Sequence, residues 1–141
     1  MVPYPHRTAF LARNWASVRI REAFFSIPVA DMERARQFYV RAFDASVQYA
    51  SPVWSSLRIA GVRVGLNATS SDKPLNTGLH FVVENLGLAC EAIASAGGMV
   101  VTDPTEVQPG VVVADAADTE GNIFTLSLAT ESETPGESES A

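Results

Sequence analysis

One succession of elements, strand–helix–strand–strand–strand, can be read twice along this chain. In the first pass "EAFFSIPV", residues 22–29, is rich in aromatic and β-branched residues and predicts a strand. "ADMERARQFYVRAF" follows, with Asp31 as a helix N-cap and Met32, Ala35, Phe38, Tyr39 and Ala42 at helical spacing. "ASVQYA", "VWSSLRIA" and "VRVGLNA" predict three strands, the last two joined by a tight turn at Ala60-Gly61. After the polar linker "SSDKPLNTG" the order restarts with the strand "GLHFVVE" and the helix "NLGLACEAIASAGG", stopped by Gly97-Gly98. "MVVTD", "GVVVADAAD" and "NIFTLSL" supply three more strands. Two matching β-α-β-β-β units imply a duplicated α+β fold whose sheets meet about a pseudo-symmetry axis.

The expected organisation is an N-terminal extension over residues 1–21, one domain over 22–128 with modules at 22–69 and 77–128, and an acidic tail over 129–141. The tail's Glu131, Glu133, Glu137 and Glu139 account for much of the net charge of −6, and without them twelve acidic residues face ten basic ones. Such a small, polar, acidic segment is expected to be disordered. Arg7, Arg13, Arg19 and Arg21 lie near the start but form no dense basic run, which argues against nucleic acid as a partner. No apolar stretch reaches the ~18 residues that cross a bilayer, and the N-terminus makes a poor secretory signal. A cytoplasmic location away from membranes is therefore the default expectation. The lone cysteine, Cys90, is expected to be a buried helix residue rather than a reactive thiol.

Alternation along the strands separates two faces. Ile27, Val29, Val64, Leu66, Leu79, Phe81, Phe124 and Leu126 fall on an apolar face that must pack on the helices. The opposite face mixes Ser26, Arg63, Asn67, His80 and Thr125 with Phe24. That mixture suits a cupped sheet around a pocket, although a simply solvated face would read the same way. Phe24, Tyr49 and Trp54 are candidates to stack on a flat ligand, with Trp54 equally suited to core or interface. Arg63 suits an anionic or carbonyl-bearing ligand, or a solvated rim.

"IPVADMERARQFYVRAF", "GLHFVVENLGLACEAIASAGGMVV" and "DTEGNIFTLS", taken in order, resemble the vicinal oxygen chelate superfamily, which includes glyoxalase I, the bleomycin-resistance proteins and the extradiol dioxygenases. The motif Asp-x-x-Arg-Ala-x-x-Phe-Tyr at Asp31–Tyr39 and the Glu120-Gly121-Asn122 turn carry the likeness over residues 22–128. The resemblance implies paired βαβββ modules forming a cupped, incomplete mixed β-barrel, and a homodimer. It also implies a divalent metal held by His, Glu or Gln at four strand positions, which by motif are Phe24, Gly65, Gly78 and Thr125 here. None is a credible donor. His80, two residues beyond Gly78, is a displaced ligand, a pocket hydrogen-bonding group or a structural histidine.

No metal and no cofactor are therefore expected, and the ligand-binding residues are expected to be Phe24, Ser26, Trp54, Arg63, Asn67, His80 and Thr125. The first functional expectation is a metal-free protein of the glyoxalase/bleomycin-resistance type that binds a small molecule and sequesters an aromatic or antibiotic-like compound. The alternative is a lyase or isomerase of the glyoxalase-like class, with His80 as base and Arg63 stabilising negative charge. A protein-interaction module using the acidic tail is a third possibility that nothing in the folded part supports.

Overall fold

The computed structural model describes residues 17–70 and 73–130. The expectations for residues 1–16 and for the tail from residue 131 onward lie outside the described residues. The elements run β1 (Phe25–Val29), α1 (Met32–Phe43), β2 (Ser46–Ala50), β3 (Trp54–Ile59), β4 (Val62–Ala68), β5 (Asn76–Val83), α2 (Leu86–Ser95), β6 (Met99–Gln108), β7 (Val111–Ala117) and β8 (Ile123–Leu128). The β-α-β-β-β order thus repeats, as the sequence implied.

Both helices start where a short polar side chain satisfies a free N–H. Asp31 accepts from the Arg34 amide at 3.0 Å and Asn85 from the Leu88 amide at 2.9 Å. The second helix ends at Gly97, φ +102°, and the Gly98 N–H closes back onto the Ile93 carbonyl at 2.9 Å. Ala60 and Gly61 both take positive φ, 49° and 82°, the twist a two-residue hairpin needs, and Ile59 pairs with Val62 across it.

The strands form two four-stranded sheets of matching order, β1-β4-β3-β2 and β5-β8-β7-β6, with β1 parallel to β4 and β5 parallel to β8. The other pairings are antiparallel. Neither sheet closes, so each keeps a cupped, half-open form. The two helices pack on each other and on the apolar sheet faces. One core results. Phe38 and Phe43 of α1, packed on Tyr39, meet Phe124 of β8, and Phe43 also meets Phe81 of β5 with centroids 4.6 Å apart. Each buried aromatic ring contributes about 2–3 kcal/mol by leaving water.

A polar joint crosses between the modules beside this core. The Tyr39 hydroxyl donates to Asp118 Oδ2 at 2.6 Å. Asp118 Oδ1 accepts the Glu120 and Asn122 amides at 2.8 and 2.9 Å. Asn122 Nδ2 donates to the Pro28 carbonyl at 2.9 Å. Glu120 accepts from the Ala30 and Asp31 amides and is gripped by Arg34, whose Nε lies 2.8 Å from Oε2.

Three expectations need correction. The first strand begins at Phe25, and Glu22–Phe24 lie outside any regular element. The strand "MVVTD" continues through Pro104 to Gln108, because β6 is an edge strand whose pairing with β7 slips in register between Thr102 and Thr105, so the missing proline N–H costs no ladder bond. Cys90 is only partly buried against the core; burial and then Asp103 push its thiol up. Among the described residues no helix is long and apolar enough to cross a membrane.

Candidate functional site

The polar face of the first sheet gathers five of the seven sequence-predicted residues. Trp54 and Asn67 are cross-strand partners on β3 and β4, and Ser56 and Gly65 form the next pair. The far end of the Trp54 indole lies over Gly65: a Cβ there would sit 2.2 Å from Cη2. Glycine at 65 is thus what lets the ring lie against the sheet. Phe24 meets Trp54 edge to face, with centroids 6.1 Å apart. The Arg63 guanidinium sits 4.4 Å from the centre of the Phe24 ring, a cation–π distance. Arg63 Nε also donates to Ser56 Oγ at 3.0 Å. Ser26 and Asn67 satisfy each other at 2.8 Å.

Of these groups Trp54, Ser56 and Arg63 border a recess of about 330 Å³, lined also by Glu22, Gln48, Tyr49 and Arg58, while Phe24, Ser26 and Asn67 lie beside it. Arg58 was not singled out from the sequence. Its signal was parity, since it shares a strand face with Trp54 and stands opposite Arg63 in the register.

The remaining two predicted residues are on the second sheet. His80 is an exposed residue of β5 paired with Thr125 of β8. His80 Nε2 lies 2.9 Å from Ser127 Oγ. Thr125 Oγ1 donates to Asp115 Oδ1 at 2.8 Å, and Asp115 is its cross-strand partner. His80 borders a different, mostly apolar cleft of about 460 Å³, along β5 and beside Phe25, Ile59 and Val62. The recess at Arg63 and the cleft at His80 have no lining residue in common.

The residues at the four family metal positions do not fit a divalent ion. Phe24, Gly65 and Gly78 carry no donor atom, and the Thr125 hydroxyl is a neutral group turned to Asp115. The indole fills the space above Gly65 that a ligand side chain would need. Among the described residues no three His, Cys, Asp or Glu side chains are grouped so as to hold a metal ion.

The family model described as the glyoxalase/bleomycin resistance protein/dioxygenase superfamily matches residues 21–126. The chain belongs to that superfamily. The vicinal oxygen chelate resemblance read from Asp31–Tyr39 and Glu120–Asn122 thereby holds. No curated protein matches this superfamily member. Its fold is similar to the genomically encoded fosfomycin resistance protein of Listeria monocytogenes, with TM-score 0.68 and 18% identity over 82% of this chain and 98% of that one. It is similar to a family enzyme from Burkholderia phytofirmans, with TM-score 0.67 and 20% identity over 76% and 97%. It is also similar to the bleomycin-binding protein of Streptomyces verticillus, solved with copper(II)-bleomycin, with TM-score 0.61 and 16% identity over 81% and 100%. At these identities the likeness is one of fold.

Within this superfamily member the sequence motifs and the recess are different places. Asp31, Arg34 and Tyr39 meet Glu120, Asp118 and Asn122 in the joint, and none of the six lines the recess. Burial alone would raise the Glu120 carboxyl. The Arg34 hydrogen bond, the Asp31 amide, the Thr119 hydroxyl and the Arg34 charge outweigh it and lower the group from 4.5 to about 2. Burial raises Asp118 above its ordinary value against the lowering effect of the Tyr39, Asn122 and Glu120 donors.

Proposed function

We propose that this protein binds a small planar organic molecule on the polar face of its first sheet and holds it without changing it. The observation that carries this reading is the Trp54 ring, laid over Gly65 and backed by Phe24, beside Arg63 in an open recess. A flat ligand gains apolar contact from the two rings and orientation from Arg63, Ser56 and Asn67, which is what binding requires. The structural neighbour that binds bleomycin gives the reading a precedent within the fold. His80 and Thr125 would belong to the same site only if a second copy brought its second sheet to the first sheet of this one, so a homodimer is part of the proposal. The lyase or isomerase alternative needs His80 and Arg63 at one reacting centre; the recess and the cleft they line are separate within the chain, so that reading needs the second copy as well, and recovery of the ligand decides between the two.

The test uses a Trp15→Phe variant, in which Trp54 is the remaining tryptophan of the two. Titration with planar aromatic compounds, 2-naphthol among them, should quench Trp54 saturably, and mass spectrometry should recover the compound unaltered. By calorimetry, Trp54→Ala should weaken binding about tenfold, the scale of one lost aromatic contact. A chemically altered ligand, absent with His80→Ala, would instead establish the enzyme.

A further inference from the structure

We infer that the recess is built for the carboxylate of an aromatic acid, and that Glu22 of the same chain occupies the carboxylate's place until such a ligand arrives. The inference rests on the binding role proposed above and names the ligand class.

Arg58 and Arg63 stand directly opposite each other on β3 and β4. Like charges in that position repel, so two guanidinium groups placed there favour an anion between them. Glu22 supplies it. Its Oε1 accepts from Arg63 Nη1 at 2.8 Å, and its Oε2 lies 3.9 Å from Arg58 Nη2. The remaining polar contacts of the two arginines are local: Arg63 Nε to Ser56 Oγ, and Arg58 Nη1 to the Gly61 carbonyl at 3.1 Å.

The residue that supplies this anion is loosely held. Glu22 lies on the stretch 17–24, which has no regular structure and is exposed throughout. Its own side chain is 43% exposed although it sits between two arginines. An exposed side chain on such a stretch can turn away into solvent at small cost, with Phe24 still against Trp54. What stays behind when Glu22 leaves is fixed by the sheet: the paired arginines, the Ser56 hydroxyl and the Trp54 ring. A carboxylate joined to a flat ring matches that set. The carboxylate would take the arginine fork in place of Glu22, and the ring would lie along Trp54. A neutral ring gains the second contact alone and has no reason to displace Glu22.

The experiment compares 2-naphthoate with 2-naphthamide, two probes of one ring that differ in charge, by calorimetry on the full-length protein. Glu22→Gln should tighten 2-naphthoate at least fivefold and leave 2-naphthamide within twofold. Arg63→Gln and Arg58→Gln should each weaken 2-naphthoate about tenfold in the Glu22→Gln background. Arg63→Lys, which keeps charge but loses the fork, should fall between. Unchanged or weaker 2-naphthoate binding in Glu22→Gln, with circular dichroism as in the wild type, would overturn the inference. So would equal tightening of both probes. If the amide alone binds, the aromatic site stands and the carboxylate assignment falls. If neither probe binds wild type or Glu22→Gln, both fall.

Discussion

At the scale of single residues, two glycines show how differently a missing Cβ can be used. At Gly65 the close neighbour is the far end of the Trp54 ring, which can swing away. Gly65→Ala should therefore cost only about 0.5–1.5 kcal/mol in chemical unfolding, the scale of an off-rotamer side chain, while weakening aromatic ligands as strongly as Trp54→Ala does. At Gly98 a Cβ would meet the Ala117 carbonyl oxygen at 2.5 Å and Phe38 at 2.6 Å, and backbone cannot swing. Gly98→Ala should destabilise by about 1–3 kcal/mol without a selective effect on binding. The sequence marked Gly65 as a position without a metal donor and as a glycine suited to a turn or an open pocket. Its partner, Trp54, is eleven residues away on the neighbouring strand, and no local pattern states that the ring lies over it. Phe24, Ser26, Arg63 and Asn67 could be placed on one face because parity is a local property. Arg58 obeys the same parity but was passed over, since its importance comes from facing Arg63, a cross-strand fact.

At the scale of elements, the turn between β7 and β8 and the start of α1 are held together by charge. The Glu120 side chain is 3% exposed and its partner Arg34 53% exposed. Arg34→Met should cost about 2–3 kcal/mol, because a nearly buried carboxylate would lose its charged donor. The sign with pH follows from the lowered carboxyl. Glu120 contributes stability in full above its ordinary value of 4.5, and that contribution is lost as pH falls toward about 2. Asp118, raised by burial, works the other way and favours the folded state more as it protonates. Melting temperatures followed from pH 5 to 2.5 should therefore fall more steeply for the wild type than for Glu120→Gln; parallel curves would remove Glu120 from the account. The first helix was legible from Asp31 and the 3.6-residue spacing and the second from its Gly97-Gly98 stop, whereas the Asn85 cap was not singled out. The length of β6 was not, because Pro104 ordinarily ends a strand and only the strand's place at a sheet edge allows it to continue.

At the scale of the whole molecule, the duplication carried the fold. Two β-α-β-β-β runs were enough to expect two matching sheets around one core, and the sheets have the same strand order. How those sheets face one another was not legible, since nothing local states which polar faces share a pocket. The recess at Trp54 and Arg63 and the cleft at His80 are separate in one chain. If a partner copy completes the site, light scattering should give about twice the chain mass of 15.1 kDa. Ligand should then bind with a stoichiometry of one per chain. A monomer that still binds 2-naphthol would confine the site to the first sheet.

The joint between the modules has a consequence for kinship. The residues by which this chain is recognisable as kin, Asp31, Arg34, Tyr39, Glu120 and Asn122, spend their polar groups on one another and on nearby backbone. None borders the recess. The family resemblance and the recess are therefore carried by different residues. A substitution at Glu22, Trp54, Arg58 or Arg63 would change the recess and leave the residues that mark the family untouched.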